Sequence, residues 1–292
     1  MTQSDSTDSS ARTHGKMQRW INHLIQLQDL IFARDQQQAS ASGSRLSTLE
    51  ASIQTMTTEL PDEIRAHFNR MQKKLGLAIV PIANGVCSAC GMQIPVSQVN
   101  AVHAANEIYS CPSCARYLFF QTGAPRRTPQ RRVRGEPAQV GLARFSSPQL
   151  MIINLASTER DEALAEMSAR LESEGFVDSA ARLTEEAIKR EAIASTAVEQ
   201  GLAFPHVRGV EGGGLTMAVG LSRKGVRFGG KAPSRIVFFM VIPTAASAFY
   251  LRLLSGLSQS FREEDAREAL FKAESEDDLW KALLKATRTT IT

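Results

Sequence analysis

Two pairs of cysteines constrain the fold of this chain more than any other feature of its sequence. Cys87-Ser-Ala-Cys90 and Cys111-Pro-Ser-Cys114 are C-x2-C pairs separated by twenty residues. Each pair predicts a tight turn that directs two sulfurs to one centre, and two such turns supply the closed tetrahedral shell that Zn²⁺ prefers. A redox role for one pair would need a surrounding βαβ pattern, which is absent here. We therefore predict one structural Zn²⁺ on Cys87, Cys90, Cys111 and Cys114.

The composition indicates a folded protein with more than one domain. The chain has 292 residues, of which 43% are hydrophobic, enough to fill two cores. No stretch approaches the ~20 apolar residues that cross a bilayer. Residues 1–16 are polar and lack the apolar segment of a secretory signal. We expect residues 1–16 to form a disordered tail and the protein to be cytoplasmic, where thiols stay reduced.

Apolar residues recur at helical spacing in three segments that precede the cysteines. The three stripes are Trp20, Leu24, Leu27 and Ile31, then Leu46, Leu49, Ile53, Met56 and Leu60, then Ile64, Phe68, Met71 and Leu75. A Gly/Ser-rich break at 39–44 separates the first two, so they predict a helical hairpin, and Pro61 opens the third helix. We interpret the stripes as core, because each holds only about two heptads. The alternative is a coiled-coil surface that forms a homodimer.

A segment rich in Pro, Gly and Arg follows the cysteines at residues 121–147, with five arginines between Arg126 and Arg134. Such a composition cannot bury enough surface to fold, so we predict a linker between residues 17–120 and residues 148–292. The arginines could contact phosphate backbones or belong to a solvated tether. The formal net charge is +4, and its concentration in the first half, largely in this linker, is a moderate indication of a nucleic-acid partner.

Helices and strands alternate in residues 148–292. Ser157 is predicted to cap a helix through Ser173, and a second helix runs from about Ser179 to Ala194. Period-two alternation predicts a half-buried strand over 214–222, whereas 235–242 is apolar on both faces like a central strand. Helices are predicted at about 245–260, 263–273 and 276–287. This order indicates an α/β domain.

The residues around the cysteines resemble the bacterial C4-type zinc ribbon that follows a helical hairpin. The resemblance rests on Leu60-Pro-Asp-Glu-Ile-Arg, Leu77-Ala-Ile-Val-Pro-Ile-Ala-Asn-Gly-Val-Cys87 and Tyr109-Ser-Cys111-Pro-Ser-Cys114. It covers residues 17–120 and implies regulation through contacts with a protein or a nucleic acid. His103, between the cysteine pairs, is expected to be a surface residue because four sulfurs already saturate the ion.

His206 is the candidate for chemistry in the second domain. It follows Pro205, which stiffens the chain, so we expect a loop that presents the imidazole outward. Arg190 and Arg208 are close in sequence and could neutralise the charge that develops when a neutral imidazole attacks phosphorus. These residues alone do not distinguish such a site from an ordinary loop histidine.

The wider pattern resembles the type-2 enzyme IIA domain of the sugar phosphotransferase system. Arg190-Glu191, Ser195-Thr196 and Gly201-Leu-Ala-Phe-Pro205-His206 carry the resemblance, which spans about 150–287. It implies a mixed sheet flanked by helices, phosphate acceptance on His206 with support from Arg190, and a histidine-containing carrier protein as donor. This chain departs from the family at Val207, where a small residue is usual, and at Tyr250, where a second histidine is usual. Tyr250 can donate a hydrogen bond to a phosphate oxygen but supplies no positive charge.

Two hypotheses for function follow. The first is a cytoplasmic regulatory phosphocarrier, a phosphotransferase component if active, whose zinc ribbon binds a partner and whose His206 accepts the phosphoryl group. The second is a non-catalytic zinc-ribbon adaptor or nucleic-acid binder whose enzyme IIA domain is degenerate. Neither hypothesis includes a membrane span in this chain.

Overall fold

The computed structural model describes residues 5–39, 46–83, 85–120, 140–208, 215–230, 232–243 and 247–291. The chain divides into two compact units. Unit 1 comprises residues 1–34 and 47–123, and unit 2 comprises residues 35–46 and 124–292. The arginines between Arg126 and Arg134 and the glycines at 209 and 212–214 lie outside the described residues.

Three helices open the chain, and their apolar stripes form one core in unit 1. They are α1 (Asp5–Ala39), α2 (Leu46–Glu59) and α3 (Asp62–Leu75). Leu24, Leu27 and Phe68 are fully buried in this core, so the stripes are core, as the interpretation of the periodicity favoured. The homodimer through the hairpin stays a prediction.

Helix α1 begins at Asp5, where the composition predicts a disordered tail over residues 1–16. The structure assigns residues 5–16 to this helix, which differs from that expectation, and residues 1–4 lie outside the described residues. A helix with a strongly apolar stripe extends readily in the N-terminal direction, because adding a residue to an existing helix avoids the cost of nucleation.

The remainder of unit 1 is a small ribbon with its own core. Strands β1 (Ile79–Ala83), β2 (Val86–Cys87) and β3 (Tyr117–Phe120) form a sheet in the order β2-β1-β3, antiparallel and then parallel. Helix α4 (Val96–Ala104) lies between β2 and β3 in the chain. Val80, Ile82 and Leu118 pack around two of the cysteines.

A buried glutamine joins α1 to the ribbon sheet. Gln28 Nε2 donates to the carbonyl of Ile79 at 2.8 Å, and its Oε1 accepts from the amides of Ala78 at 2.8 Å and Ile79 at 3.0 Å. Three backbone groups at the start of β1 are thus satisfied by one side chain, which the apolar stripe of α1 did not predict.

Unit 2 is an α/β unit with a mixed sheet. Its strands are β4 (Met151–Ile152), β5 (Ala197–Val198), β6 (Leu202–Ala203), β7 (His206–Arg208), β8 (Thr216–Val226) and β9 (Ser234–Ile242). The order is β4-β8-β9-β6-β5, and β7 also pairs with β9. β8 and β9 are antiparallel to each other, whereas β6 and β7 run parallel to β9. The fold class implied by the resemblance is confirmed.

Within the described part of unit 2, five α-helices accompany this sheet. They are α5 (Arg160–Ser173), α6 (Ala180–Ile193), α7 (Ser247–Ser260), α8 (Glu264–Phe271) and α9 (Glu276–Thr287). α5 and α6 pack on each other, α5 contacts β8, α6 contacts β7, and α9 contacts β4. β8 is buried on both faces from Thr216 to Leu221, so the prediction of a half-buried strand is wrong. Helices cover the face that was expected to meet water.

Three boundaries differ from the sequence predictions. The predicted linker extends to residue 147, but Leu142 and Ser146 are already buried in unit 2, and Ser146 donates to the carbonyl of Met217. Residues 35–46 belong to unit 2 and not to the first unit. The cap of α5 is Glu159 and not Ser157.

Among the described residues, no helix combines the length and the apolar character that a bilayer crossing requires.

We expect Gln28→Ala to destabilise the protein by roughly 2–4 kcal/mol, because three buried backbone groups lose their partner. Gln26→Ala is the matched control, since Gln26 is an exposed glutamine of the same helix, and its effect should stay within about 0.5 kcal/mol. Thermal unfolding followed by circular dichroism measures both. Equal melting temperatures for the two variants would contradict the structural role of Gln28.

Candidate functional site

The four cysteines of unit 1 form one cluster. Their Sγ atoms all lie within 4.8 Å of one another. Cys87 Sγ is 3.8 Å from Cys114 Sγ, and Cys90 Sγ is 3.8 Å from Cys111 Sγ. A tetrahedron with Zn–S bonds of about 2.3 Å has edges of about 3.8 Å. Two of the sulfur–sulfur distances therefore match this edge, and the predicted ligand set is brought together around one centre.

Two turns of the same design present the sulfurs. In the first, the amide of Gly91 donates to the carbonyl of Cys87 at 2.8 Å, and Gly91 has a φ of 72°. In the second, the amide of Ala115 donates to the carbonyl of Cys111 at 2.9 Å, and Ala115 has a φ of 61°. A glycine at position 91 suits this left-handed conformation, whereas an alanine at position 115 gives no sign of it in the sequence.

The environments of the thiols differ. Burial raises the pKa of Cys87 to about 12. Burial also acts to raise the pKa of Cys114, but hydrogen bonds with Arg116, Cys111 and Cys90 together outweigh it and lower this pKa to about 7. Metal binding requires thiolates and displaces their protons. Arg116 therefore favours the charged form of the half-buried Cys114.

The histidine and the aromatic residues of the ribbon contact their neighbours in the fold. His103 is exposed and meets the ring of Phe120 edge-on, with 4.7 Å between centroids. Tyr117 is buried, and Phe119 packs against the helical core. Most of the ribbon aromatics therefore support packing, as expected, while Phe120 is exposed.

His206 in unit 2 is not in an exposed loop. It opens β7, which pairs with β9 so that His206 lies opposite Met240, and the residue is only 1% exposed. The expectation of an outward imidazole is wrong. Pro205 does extend the chain, but the extended backbone then joins the sheet, where α6 and α7 supply neighbours on the same face.

The ring of His206 has partners at both nitrogens. Arg190 Nε donates to His206 Nε2 at 3.2 Å. His206 Nδ1 lies 3.2 Å from the carbonyl oxygen of Phe204 and 3.2 Å from the hydroxyl of Tyr250. Because a guanidinium only donates, Nε2 must accept and the ring proton resides on Nδ1. The ring is thus a neutral tautomer whose Nε2 lone pair faces Arg190.

Burial lowers the pKa of His206 well below its ordinary value, and the positive charges of Arg190 and Arg208 lower this pKa further. A group whose folded-state pKa is depressed in this way stays uncharged when the pH falls through 6.5. The imidazole therefore keeps its lone pair over the whole physiological range.

Arg190 is held by its own helix. It is 8% exposed, and its Nη1 donates to the carbonyl of Ala194 at 2.9 Å, at the end of α6. The adjacent Glu191 accepts from the amide of Thr196 at 2.6 Å and from its hydroxyl at 3.1 Å. This pair fixes the segment that leads from α6 to β5, and with it the end of the helix that carries Arg190.

Arg208 and Val207 follow His206 on β7. Side chains alternate along a strand, so Arg208 shares the face of His206 and Val207 points to the other. Val207 is buried opposite Val241. The unusual valine therefore fills the core and does not obstruct the imidazole.

Tyr250 contacts the Nδ1 side of the ring. Its ring centroid lies 5.0 Å from that of His206, and burial raises the pKa of its hydroxyl. It was predicted to meet a phosphate oxygen. Its contact with Nδ1 instead orients the imidazole, so Tyr250 is a positioning residue in this arrangement.

A residue that sequence reasoning missed completes the site. Gln36 is 3% exposed, belongs to unit 2, and lies in the last turn of α1. Its Oε1 accepts from Arg190 Nη2 at 3.3 Å, and its Nε2 donates to the carbonyl of Phe204 at 3.4 Å. Gln36 stands in a run of three glutamines, where nothing in the local pattern sets it apart.

The geometry defines a class of protein: an α/β unit with a buried, arginine-paired histidine, accompanied by a four-cysteine ribbon. Residues 144–286 match the family model of the phosphoenolpyruvate-dependent sugar phosphotransferase system, EIIA 2, and residues 86–118 match that of the C4-type zinc ribbon domain. Both resemblances seen in the sequence are confirmed.

Individual relatives agree with this assignment. The chain is 32% identical over 111 residues to the fructose-specific EIIA component of Haloferax volcanii. The aligned region covers 37% of this chain and 72% of the relative. It is 30% identical over 127 residues to the fructose-specific EIIABC component of Bacillus subtilis. The aligned region covers 43% of this chain but only 20% of the relative. The chain thus spans about a fifth of the Bacillus relative.

The chain belongs to the type-2 enzyme IIA family of the phosphotransferase system, and this membership supports a phosphocarrier role. Among solved structures, the nitrogen regulatory protein IIA-Ntr of Neisseria meningitidis is 24% identical, with a TM-score of 0.44 over 48% of this chain and 96% of that protein.

We expect one Zn²⁺ per chain in the purified protein and less than one tenth of that in Cys111→Ser, because three sulfurs leave the shell open. His103→Ala should retain one Zn²⁺ per chain, since His103 is not among the clustered ligands. Elemental analysis after gel filtration measures both ratios. Loss of metal from His103→Ala would contradict the four-sulfur site.

We expect His206 to remain the neutral Nδ1–H tautomer from pH 8 down to pH 6, whereas a solvated imidazole with an ordinary pKa of about 6.5 becomes mostly charged. Long-range ¹H–¹⁵N correlation spectra report the state of both ring nitrogens. Protonation of Nε2 of His206 within this pH range would contradict the buried, arginine-paired ring.

Proposed function

We propose that this protein is a regulatory phosphocarrier that accepts a phosphoryl group on Nε2 of His206 from a histidine-containing carrier protein. The observation that carries the proposal is the 3.2 Å contact between Arg190 Nε and His206 Nε2. It places a permanent positive charge beside an unprotonated imidazole nitrogen, which is the arrangement that transfer of an anionic group to nitrogen needs.

The transfer requires no additional acid or base. The Nε2 lone pair forms the new N–P bond while the N–P bond of the donor breaks and its electron pair returns to the donor nitrogen. The Nδ1 proton stays on the ring, where the carbonyl of Phe204 and the hydroxyl of Tyr250 are within hydrogen-bond distance. This anchoring prevents rotation of the imidazole during the exchange of the phosphoryl group.

The arginines stabilise the negative charge of the phosphoryl group. A phosphoryl group carries close to two negative charges, and Arg190 and Arg208 already act on His206 electrostatically. Tyr250 provides a neutral dipole on the opposite side of the ring. We infer that Arg190 contributes most to transfer, because its Nε lies 3.2 Å from the accepting nitrogen.

We infer that the ribbon binds Zn²⁺ as a structural ion and presents a surface to a partner. When bound, the ion supplies a fixed cross-link between the two cysteine turns and no open coordination position. Met92, Val96 and Phe120 are large apolar residues that remain exposed on this small domain, which supports a protein partner. Zinc-bound thiolates fit a cytoplasmic location, where thiols stay reduced.

One observation favours the second hypothesis, a non-catalytic adaptor. His206 is 1% exposed, so a carrier protein cannot reach Nε2 without a local rearrangement. A degenerate domain that kept only its fold would also bury this histidine. The two functions differ in whether the intact protein becomes phosphorylated. If the adaptor binds nucleic acid, that binding should also weaken as the salt concentration rises.

We expect the full chain to acquire an acid-labile phosphate when incubated with phosphoenolpyruvate and the two general phosphotransferase proteins. His206→Ala and His206→Gln should abolish the label, and His103→Ala should keep it at the wild-type level. Intact-mass spectrometry at neutral pH measures the label, and circular dichroism verifies that each variant is folded. Label on folded His206→Gln, or none on the wild type after prolonged incubation, would overturn the phosphocarrier assignment.

A further inference from the structure

We propose that Gln36 competes internally with the phosphoryl group: its amide oxygen occupies the position on Arg190 that a phosphoryl oxygen needs. The last turn of α1 therefore closes the His206 site and must withdraw when the site is used. This inference rests on the proposed function of His206. Gln36 lies outside residues 144–286, which match the family model, so the competing group is an addition to the family fold.

The geometry of the guanidinium carries the argument. Nε–H and one Nη2–H point the same way along one edge of an arginine, and this edge binds an oxyanion through two parallel hydrogen bonds. In Arg190 the edge is already used, by His206 Nε2 at 3.2 Å and by Gln36 Oε1 at 3.3 Å. The remaining nitrogen, Nη1, donates to Ala194 at 2.9 Å. A phosphoryl group on Nε2 can use this edge only if Gln36 releases it.

The orientation of the amide is fixed by its second contact. Gln36 Nε2 donates at 3.4 Å to the carbonyl of Phe204, which also lies 3.2 Å from His206 Nδ1. A flipped amide would place its NH₂ group against the guanidinium and its oxygen against the Phe204 carbonyl, so both contacts would become repulsive. Gln36 therefore presents its oxygen, and not its nitrogen, to Arg190.

Burial makes the competition exclusive. Gln36, Arg190 and His206 are 3%, 8% and 1% exposed, and protein interiors have no room for an added group of this size. Phosphoryl oxygens and the amide oxygen also repel each other, because the former are charged acceptors and the latter is an acceptor with a partial negative charge. The unphosphorylated form thus keeps Gln36 in place, and the phosphorylated form excludes it.

Linkage makes the effect reciprocal. If displacement of Gln36 favours phosphorylation, phosphorylation favours displacement of Gln36 by the same free energy. The state of His206 would then be read out as a change in the order of residues 35–39. Amide hydrogen exchange in this turn should increase in the phosphorylated protein and not in a mixture that lacks phosphoenolpyruvate.

The test compares Gln36→Ala and Gln36→Glu in the full chain with Gln38→Ala and Gln38→Glu, since Gln38 is an exposed glutamine of the same turn. The first measurement is the initial rate of phosphorylation by the general phosphotransferase proteins. The second is the rate at which diethyl pyrocarbonate modifies His206, followed by peptide mass spectrometry, which requires no phosphoryl donor. Matching circular dichroism spectra establish that the variants are folded.

We expect Gln36→Ala to raise both rates about tenfold, the size of effect typical for loss of a hydrogen bond to a charged group. Gln36→Glu should lower the phosphorylation rate, because a carboxylate binds Arg190 more strongly and repels the phosphoryl group. The Gln38 variants should match the wild type in both measurements.

The outcomes separate this inference from the proposed function. Wild-type rates for Gln36→Ala in both measurements would overturn the competition, even if the wild type is phosphorylated. Faster modification of His206 without faster phosphorylation would also overturn it, because Gln36 would then cover the ring without opposing transfer. Faster modification with no phosphorylation of any variant would overturn the proposed function, while Gln36 would stand as the group that closes the site.

Discussion

The hydrogen bond from Arg190 to His206 determines what this site can do. A guanidinium cannot accept, so its approach to Nε2 at 3.2 Å forces the ring proton onto Nδ1 and leaves Nε2 unprotonated, with its lone pair directed at Arg190. The same positive charge, together with burial, holds the pKa of the imidazole well below its ordinary value. One contact thus selects the tautomer and the charge state and, in the proposed transfer, the atom that reacts. The hydroxyl of Tyr250 and the carbonyl of Phe204 contact Nδ1 and keep the ring proton on that nitrogen.

This contact exists because of the sheet. β7 has only three residues, but its parallel pairing with β9 sets His206 opposite Met240 and turns its side chain to the face where Arg190 arrives from α6. The pairing also explains the burial that the chain order does not reveal. Pro205 rightly indicated an extended backbone, and an extended backbone beside a central strand becomes part of the sheet. The expectation of a loop at His206 could have been corrected by considering that a short extended segment can pair with a long apolar strand such as β9.

The sequence was sufficient where the determining residues are close together in the chain. The zinc ligands follow from two C-x2-C turns, each complete within a few residues, and their four sulfurs cluster as predicted. The helices and strands of unit 2 follow from periodicity, with errors at ends such as Ser157 where several residues can serve as caps. The surroundings of His206 were not predictable from the residues alone, because Gln36 and Tyr250 are distant in sequence and have ordinary polar side chains. Arg190 was singled out by its closeness to His206 in sequence and again by the family pattern, whereas Tyr250 was singled out only through the family pattern.

The replacement of a second histidine by Tyr250 has a physical consequence that depends on which ring nitrogen it meets. Its hydroxyl lies 3.2 Å from Nδ1, the nitrogen that keeps its proton during transfer, so a positive charge at this position would act on the ring and not directly on the phosphoryl oxygens. A phenol there satisfies the Nδ1 proton without a charge that would have to be buried beside Arg190. The anionic group then depends on the arginines for its stabilisation. In the proposed transfer, a site with few cations is one where a single amide oxygen on Arg190 would compete with phosphate. Gln36 would then matter more in this chain than in a site with an additional histidine.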